Sequence, residues 1–274
     1  MIINKLLNMR GFLLFTFFYI ITIQGYSQNI ILKGYIQDIK EKPIAYVNLG
    51  IENRGVGCMS DSEGHFSLSI PDSLKNMTLT ASHISYQKYT RNIKKLTTEK
   101  NIVITLESRN IKIPEISIYP KKGKWIKNKG IRLPGSTLKI DSLGEETGIF
   151  ANINKDALME QIRFNILKCS YDSVKIRINL YQIDKDLNAI PIITSPIYKM
   201  ITHSPDKKEI KINTETRPYL FKGKVAIMLE MIEIYGNGEL LFPTYLASSP
   251  YKKLILDKFE KIPYSMGLAI YVRN

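Results

Sequence analysis

The stretch "SDSEGHFSLSIPD", Ser60 to Asp72, passes from a polar cluster with one glycine into Phe66, Leu68 and Ile70 at two-residue spacing. The Asp61 carboxylate reaches backbone amides two residues on, and Gly64 takes positive φ without a Cβ penalty. Asp-x-x-Gly therefore predicts a bend. The alternation behind it predicts a strand with Phe66 opening the buried face and Glu63 and His65 pointing outward. Asp61, Glu63 and His65 on one bend also form a small set of metal-ligand types, but most such turns are only turns. The reading is a hairpin without a metal.

Working outward, the same period of two recurs and no helical period persists. Strands are expected at Ile30–Gln37, Ile44–Ile51, His65–Ile70, Met77–His83 and Ile102–Leu106. A second series is expected at Ile131–Ile140, Thr147–Ile153, Gln161–Leu167, Val174–Ile183, Ile210–Asn213, Val225–Ile234, Leu240–Tyr245 and Met266–Val272. Each strand of the first series is bounded by Gly, Pro, Asn, Asp or Ser, as in a β-sandwich. In "DSVKIRINLYQI", Val174, Ile176, Ile178 and Leu180 share one face, while Lys175, Arg177, Asn179 and Tyr181 share the other. That pattern predicts one buried and one wet face. The fold class is all-β, a small sandwich followed by a larger antiparallel, jelly-roll-like sandwich.

The chain has 274 residues and a net charge of +14. Lys5 and Arg10 precede an apolar run from Phe12 to Ile23, and Gly25-Tyr26-Ser27 offers small residues for cleavage. This is the layout of a secretory signal peptide, and the run is shorter than the about 20 residues a membrane span needs. Without Lys5 and Arg10 the charge is +12. In an exported protein that surplus suits lipopolysaccharide, acidic polysaccharide or an acidic protein face rather than nucleic acid, and solubility alone also explains it. Cys58 and Cys169 are expected to be buried and unpaired, since a core of this size needs no staple. The expected division is a leader at 1–27, a sandwich at 28–108, a basic connector at 109–140 and a second sandwich at 141–274.

With this frame in place, residues 29–107 resemble the carboxypeptidase-like regulatory domain, a transthyretin-like β-sandwich. Gly34, Asp38, Pro43 and Val47 match its first hairpin, Ser60-Asp61-x-x-Gly64-x-Phe66 its most recognisable motif, and Ser82-x-x-Ser85-Tyr86 its end. Ser60 stands where threonine is usual, and Ser85 where glycine is usual. The resemblance implies an accessory module and no chemistry of its own. The second half is similar, less specifically, to the C-terminal part of secreted Gram-negative proteins that begin with this module.

The known hosts of such modules do not fit. None of His65, His83 and His203 has a glutamate three residues later, so the zinc-peptidase pair is missing. A transporter barrel needs more strands than remain. Asp184-Lys-Asp186-Leu-Asn188 imitates a calcium loop, but Ala189 and Ser195 replace its glycine and glutamate, so it reads as a hairpin turn. No metal, cofactor or catalytic residue is assigned.

Glu230 stands out in "VAIMLEMIEI", a charge amid apolar neighbours. Buried carboxylates are costly unless paired, and Arg177 and Arg163 are the candidate partners. An ion pair is the structural reading; the functional one is a glycan hydrolase with Glu230 as a raised-pKa acid, which also requires a second carboxylate nearby. Trp125 and Tyr119, among Lys121, Lys122 and Lys124, form the candidate binding cluster for a sugar or anionic polymer. The structural alternative is a solvated linker with one tucked aromatic. The leading expectation is a non-catalytic exported binding or assembly module of the cell envelope, in the periplasm or at the cell surface. Its partner would be an envelope protein or glycan, with peripheral membrane contact at most. Carbohydrate recognition by a sandwich face is the alternative.

Overall fold

The computed structural model describes residues 29–110, 122–127, 130–186, 188–193, 195–253, 255–256 and 258–273. The expected leader, Tyr119 and Lys121 lie outside the described residues.

The first sandwich comprises β1 (Asn29–Asp38), β2 (Asn48–Ile51), β3 (Val56–Met59), β4 (His65–Pro71), β5 (Thr78–Ser82), β6 (Tyr89–Asn92) and β7 (Ile102–Leu106). Its two sheets have the orders β4-β1-β7 and β3-β2-β5-β6. Leu32, Ile36, Leu49, Phe66, Leu68, Ile70, Leu79 and Ile104 fill the space between them. Each such side chain contributes about 1.5–3 kcal/mol through burial. The Asp61 bend works as its residues dictate: Asp61 Oδ1 accepts from the amides of Glu63 and His65, both at 2.9 Å, and Gly64 has φ +83°. A Cβ on Gly64 would stand 2.6 Å from the Ile36 carbonyl oxygen. Ser85 keeps a φ outside the left-handed region, so serine is accommodated there without strain. A short helix, Ile93–Leu96, was not foreshadowed by any helical period; it buries Ile93 and Leu96 against the first core.

The second unit comprises β8 (Lys124–Lys127), β9 (Ile131–Ile140), β10 (Glu146–Ile153), β11 (Ala157–Ile166), β12 (Lys168–Ile183), β13 (Ala189–Pro191) and β14 (Ile197–Ser204). It continues with β15 (Lys208–Asn213), β16 (Tyr219–Leu220), β17 (Gly223–Tyr235), β18 (Leu240–Lys252), β19 (Glu260–Met266) and β20 (Leu268–Arg273). An eight-stranded sheet runs β13-β12-β17-β10-β18-β19, with β14 also on β12 and β9 on β18. A five-stranded sheet runs β15-β11-β20-β8, with β16 on β11. Phe164, Ile162 and Ile270 from the smaller sheet meet Ile176, Ile178, Leu229 and Phe242 from the larger in one core.

Two expectations need correction. The span 109–140 is not only a connector: β8 pairs with β20, and β9 pairs with β18, with Pro134-Gly135 between the paired Arg132 and Thr137. β9 is the strand expected at Ile131–Ile140; the charge density before it hid only β8, an edge strand, where lysines are ordinary. The second concerns β12. The face carrying Arg177 and Asn179 is not wet; they are 2% and 1% exposed, because the first sandwich sits on it. Cys58 and Cys169 are free, and Cys58 is half-buried, its thiol pushed up to about 12 by burial.

Candidate functional site

The register of the larger sheet sets four charges side by side. Arg177 on β12 pairs with Glu230 on β17, Glu230 with Glu146 on β10, and Glu146 with Lys252 on β18. The row therefore reads plus, minus, minus, plus across four strands. Like charges directly opposite are destabilising, so the outer cations are what permit the inner pair. Arg177 Nε and Nη2 donate to Glu230 Oε2 at 2.9 and 2.7 Å, and Lys252 Nζ forms an ion pair with Glu146. A bulge on β17 gives the row a second tier: Lys175 faces Glu233 and Ile176 faces Met231, so Ile232 is the extra residue. Glu230 and Glu233, three apart, thereby point to the same side.

The first sandwich closes over this row. Asn48 Nδ2 donates to Glu230 Oε1 at 2.8 Å, and Asn179 Nδ2 donates to Oε2 at 2.7 Å. Arg177 Nη1 donates to the Tyr46 carbonyl at 2.9 Å. Tyr46 holds φ +57°, a conformation costly for a bulky residue, and its hydroxyl donates to Glu233 while accepting from Lys175 Nζ at 2.7 Å. Ile84 packs among the second core's residues. Tyr46, Asn48 and Ile84 thus join two sandwiches that have separate cores.

The electrostatics follow. Burial works to raise the Glu230 carboxyl, but Arg177, Lys252 and the two side-chain amides override it and lower it from 4.5 to about 2. Glu146 is raised, by burial first and by Glu230 beside it, against the pull of Lys252. Lys252 is also raised: burial opposes its charge, but Glu146 and Glu230 together outweigh burial. Both shifts are upward but mean opposite things: burial and a like neighbour disfavour the charged Glu146, whereas two opposite neighbours favour the charged Lys252. His83, in the field of Arg177, is lowered to about 3, mainly by burial, and is neutral at pH 7.

Beside the row opens a cleft of about 590 Å³ between the two sandwiches. Tyr181, Lys252, Phe259, Asp186 and Asn188 line it from the second unit, and Glu52, Lys88 and Arg109 from the first. The hairpin carrying Asp186 and Asn188 is shaped by Asp184, whose Oδ1 accepts from their amides at 2.9 and 2.8 Å. Tyr181 OH reaches Glu146 Oε2 at 3.2 Å, so the cleft and the charge row share members.

The sequence-derived candidates fall in three places. Glu230 and Arg177 are in the row, joined to each other. Arg163, the other candidate partner, lies on the smaller sheet with its guanidinium 3.9 Å above the Trp125 ring, so it does not reach Glu230. Trp125 is on the edge strand β8, tilted against Tyr271 at 5.3 Å, and Lys122 and Lys124 are exposed nearby. Asp61, Gly64 and Phe66 remain with their own bend. The second carboxylate that the sequence left unnamed is Glu146, and Tyr46, Asn48, Asn179 and Lys252 were also missed. Asn179 was visible as a polar residue on the face of Arg177; the others depend on pairing that no local pattern carries. Among the described residues, no group of three or more His, Cys, Asp or Glu side chains is placed to hold a metal.

Comparison with known proteins identifies the first unit. Residues 32–118 match the CarboxypepD_reg-like domain family, so the chain carries a carboxypeptidase-regulatory-like β-sandwich at its N-terminal side. No protein of curated function matches the sequence. Among solved structures, chains of infectious bursal disease virus align along most of this chain at low TM-scores. The Gx strain structure gives 8% identity and a TM-score of 0.23, covering 91% of this chain and 52% of that one. The Gt strain structure gives 7% and 0.23, covering 92% and 58%. This chain thus spans little more than half the length of those viral chains, and nothing about its function follows from them.

Proposed function

We propose that the protein is an exported, non-catalytic binding module of the cell envelope, and that its ligand sits in the cleft between the two sandwiches. The observation that carries this reading is the contrast in saturation beside that cleft. Glu230 has no exposed surface and its oxygens accept four hydrogen bonds, from Asn48, Asn179 and twice from Arg177. Such a carboxylate, bonded at both oxygens and closed to solvent, is out of a substrate's reach and serves to hold the two units together. Arg109 and Lys258, at the cleft, have no carboxylate partner among the described residues. Export is supported by the leader pattern at residues 1–27, and the absence of chemistry by the accessory nature of the regulatory-like module.

The test is retention by envelope material. Immobilised protein is exposed to solubilised envelope fractions, separated into protein and glycan, beside an Arg109→Glu variant. Retention by the wild type that is lost in Arg109→Glu is the expected result. Equal retention by both would move the site elsewhere, and no retention of either fraction would end the reading.

A further inference from the structure

We infer that the inter-sandwich cleft recognises a carboxylate-bearing saccharide, held by the Arg109 guanidinium and Lys258 against the Tyr181 and Phe259 rings. This rests on the binding-module reading above and names the ligand class for the same cleft.

The cations come first. Lys88 is paired with Glu52, and Lys252 with Glu146, so both are matched. Arg109 is different. Its Nη2 donates to the Tyr86 carbonyl at 3.1 Å, which anchors the planar group, while its Nε is buried and has no hydrogen-bond partner among the described residues. The Nε is closed to solvent, so an incoming acceptor meets the anchored guanidinium at its Nη end, where the cleft is open and the group has no carboxylate of its own among the described residues. Its fork fits a carboxylate better than a point charge does. Lys258 is exposed at the same cleft, its backbone amide fixed 3.1 Å from Asn53 Oδ1 and its ammonium without a carboxylate among the described residues.

The rings come second. Tyr181 and Phe259 meet edge to face with ring centroids 5.0 Å apart, and they pack onto the small apolar cluster of Ile183, Ala226 and Met228. Packing of this kind fixes both rings beside the cations, and with their planes 64° apart each offers its own surface to an apolar sugar face. Around them stand groups of both hydrogen-bonding senses: the Asp186 carboxylate accepts, and the Asn188 and Asn53 amides do both. A hydroxyl both donates and accepts, so a polyhydroxylated ligand uses this mixture fully, whereas an acidic peptide would need a row of open backbone groups. The size agrees. About 590 Å³ lies in the range of small-ligand sites, roughly 300–1,000 Å³, and a concave cleft is not the broad patch of about 800 Å² that a protein partner covers.

The probe is a galacturonate oligomer, with its methyl ester as a neutral control of the same ring shape, measured by titration calorimetry at low salt. The acid form is expected to bind, the ester at least about tenfold more weakly, and added salt to weaken the acid form alone. Arg109→Ala should cost about tenfold or more, Arg109→Lys less, and Lys258→Ala a smaller loss, with unchanged melting temperature showing that each variant is folded. No heat with the acid oligomer, equal affinity for the ester, or indifference to both Arg109→Ala and Lys258→Ala would overturn the assignment. Tighter binding of oligoglutamate than of the saccharide would overturn the choice of glycan. If the oligomer fails while envelope retention still depends on Arg109, the ligand class falls and the module reading stands.

Discussion

Two polar regions lie side by side on the outer face of the eight-stranded sheet. In the Arg177–Glu230–Glu146–Lys252 row, every charge has an opposite neighbour, and both Glu230 oxygens are bonded. In the cleft one step away, Arg109 holds an idle Nε and Lys258 an unmatched ammonium among the described residues. Burial alone does not separate a structural charge from a binding one. What separates them is whether the protein's own partners have used up the group's capacity.

The largest effect that can break this comparison is at Glu230. Glu230→Gln leaves Arg177 buried against a neutral amide, and unfolding experiments are expected to show a loss of about 3–5 kcal/mol. Adding Arg177→Met should return part of it, because the stranded cation is then gone as well. A loss below about 1 kcal/mol in the single variant would remove the row from its structural role.

Next comes pH. His83 binds its proton only near pH 3 in the folded chain but near 6.5 when unfolded, so stability falls as pH drops across that window. Glu230 contributes stability that is complete above about 4.5 and lost as pH falls through about 2. Glu146 works the other way, since its raised pKa means that acid relieves its burial. Denaturant melts from pH 7 to pH 2 should therefore decline in two legs. His83→Gln should flatten the upper leg and Glu230→Gln the lower one.

Smaller effects sharpen the contrast. Asp61→Ala removes the acceptor of two amide bonds in the first sandwich and should cost about 1–2 kcal/mol without touching ligand retention. Arg109→Ala should change stability by less than about 1 kcal/mol while weakening retention about tenfold or more, whereas Glu230→Gln acts first on stability.

How much of this was legible depends on range. The Asp61 bend could be read from thirteen consecutive residues because an Asx turn and an alternating strand are local devices. Arg177 and Glu230 could be singled out, since a charge amid Leu229 and Met231 demands a partner. Glu146 and Lys252 could not, because their place beside Glu230 is set by strand order, which alternation does not encode. β14 escaped for a related reason: "IYKMITHS" puts apolar residues on both faces, blurring the period of two. Arg177 and Asn179 read as wet because nothing within β12 announces that another sandwich covers them.

Calorimetric unfolding of the wild type beside Glu230→Gln tests most directly whether the charge row welds the two sandwiches. One cooperative transition in the wild type, separating into two in the variant, is the outcome this account requires. Two independent transitions in the wild type, or an unaltered single transition in the variant, would contradict it.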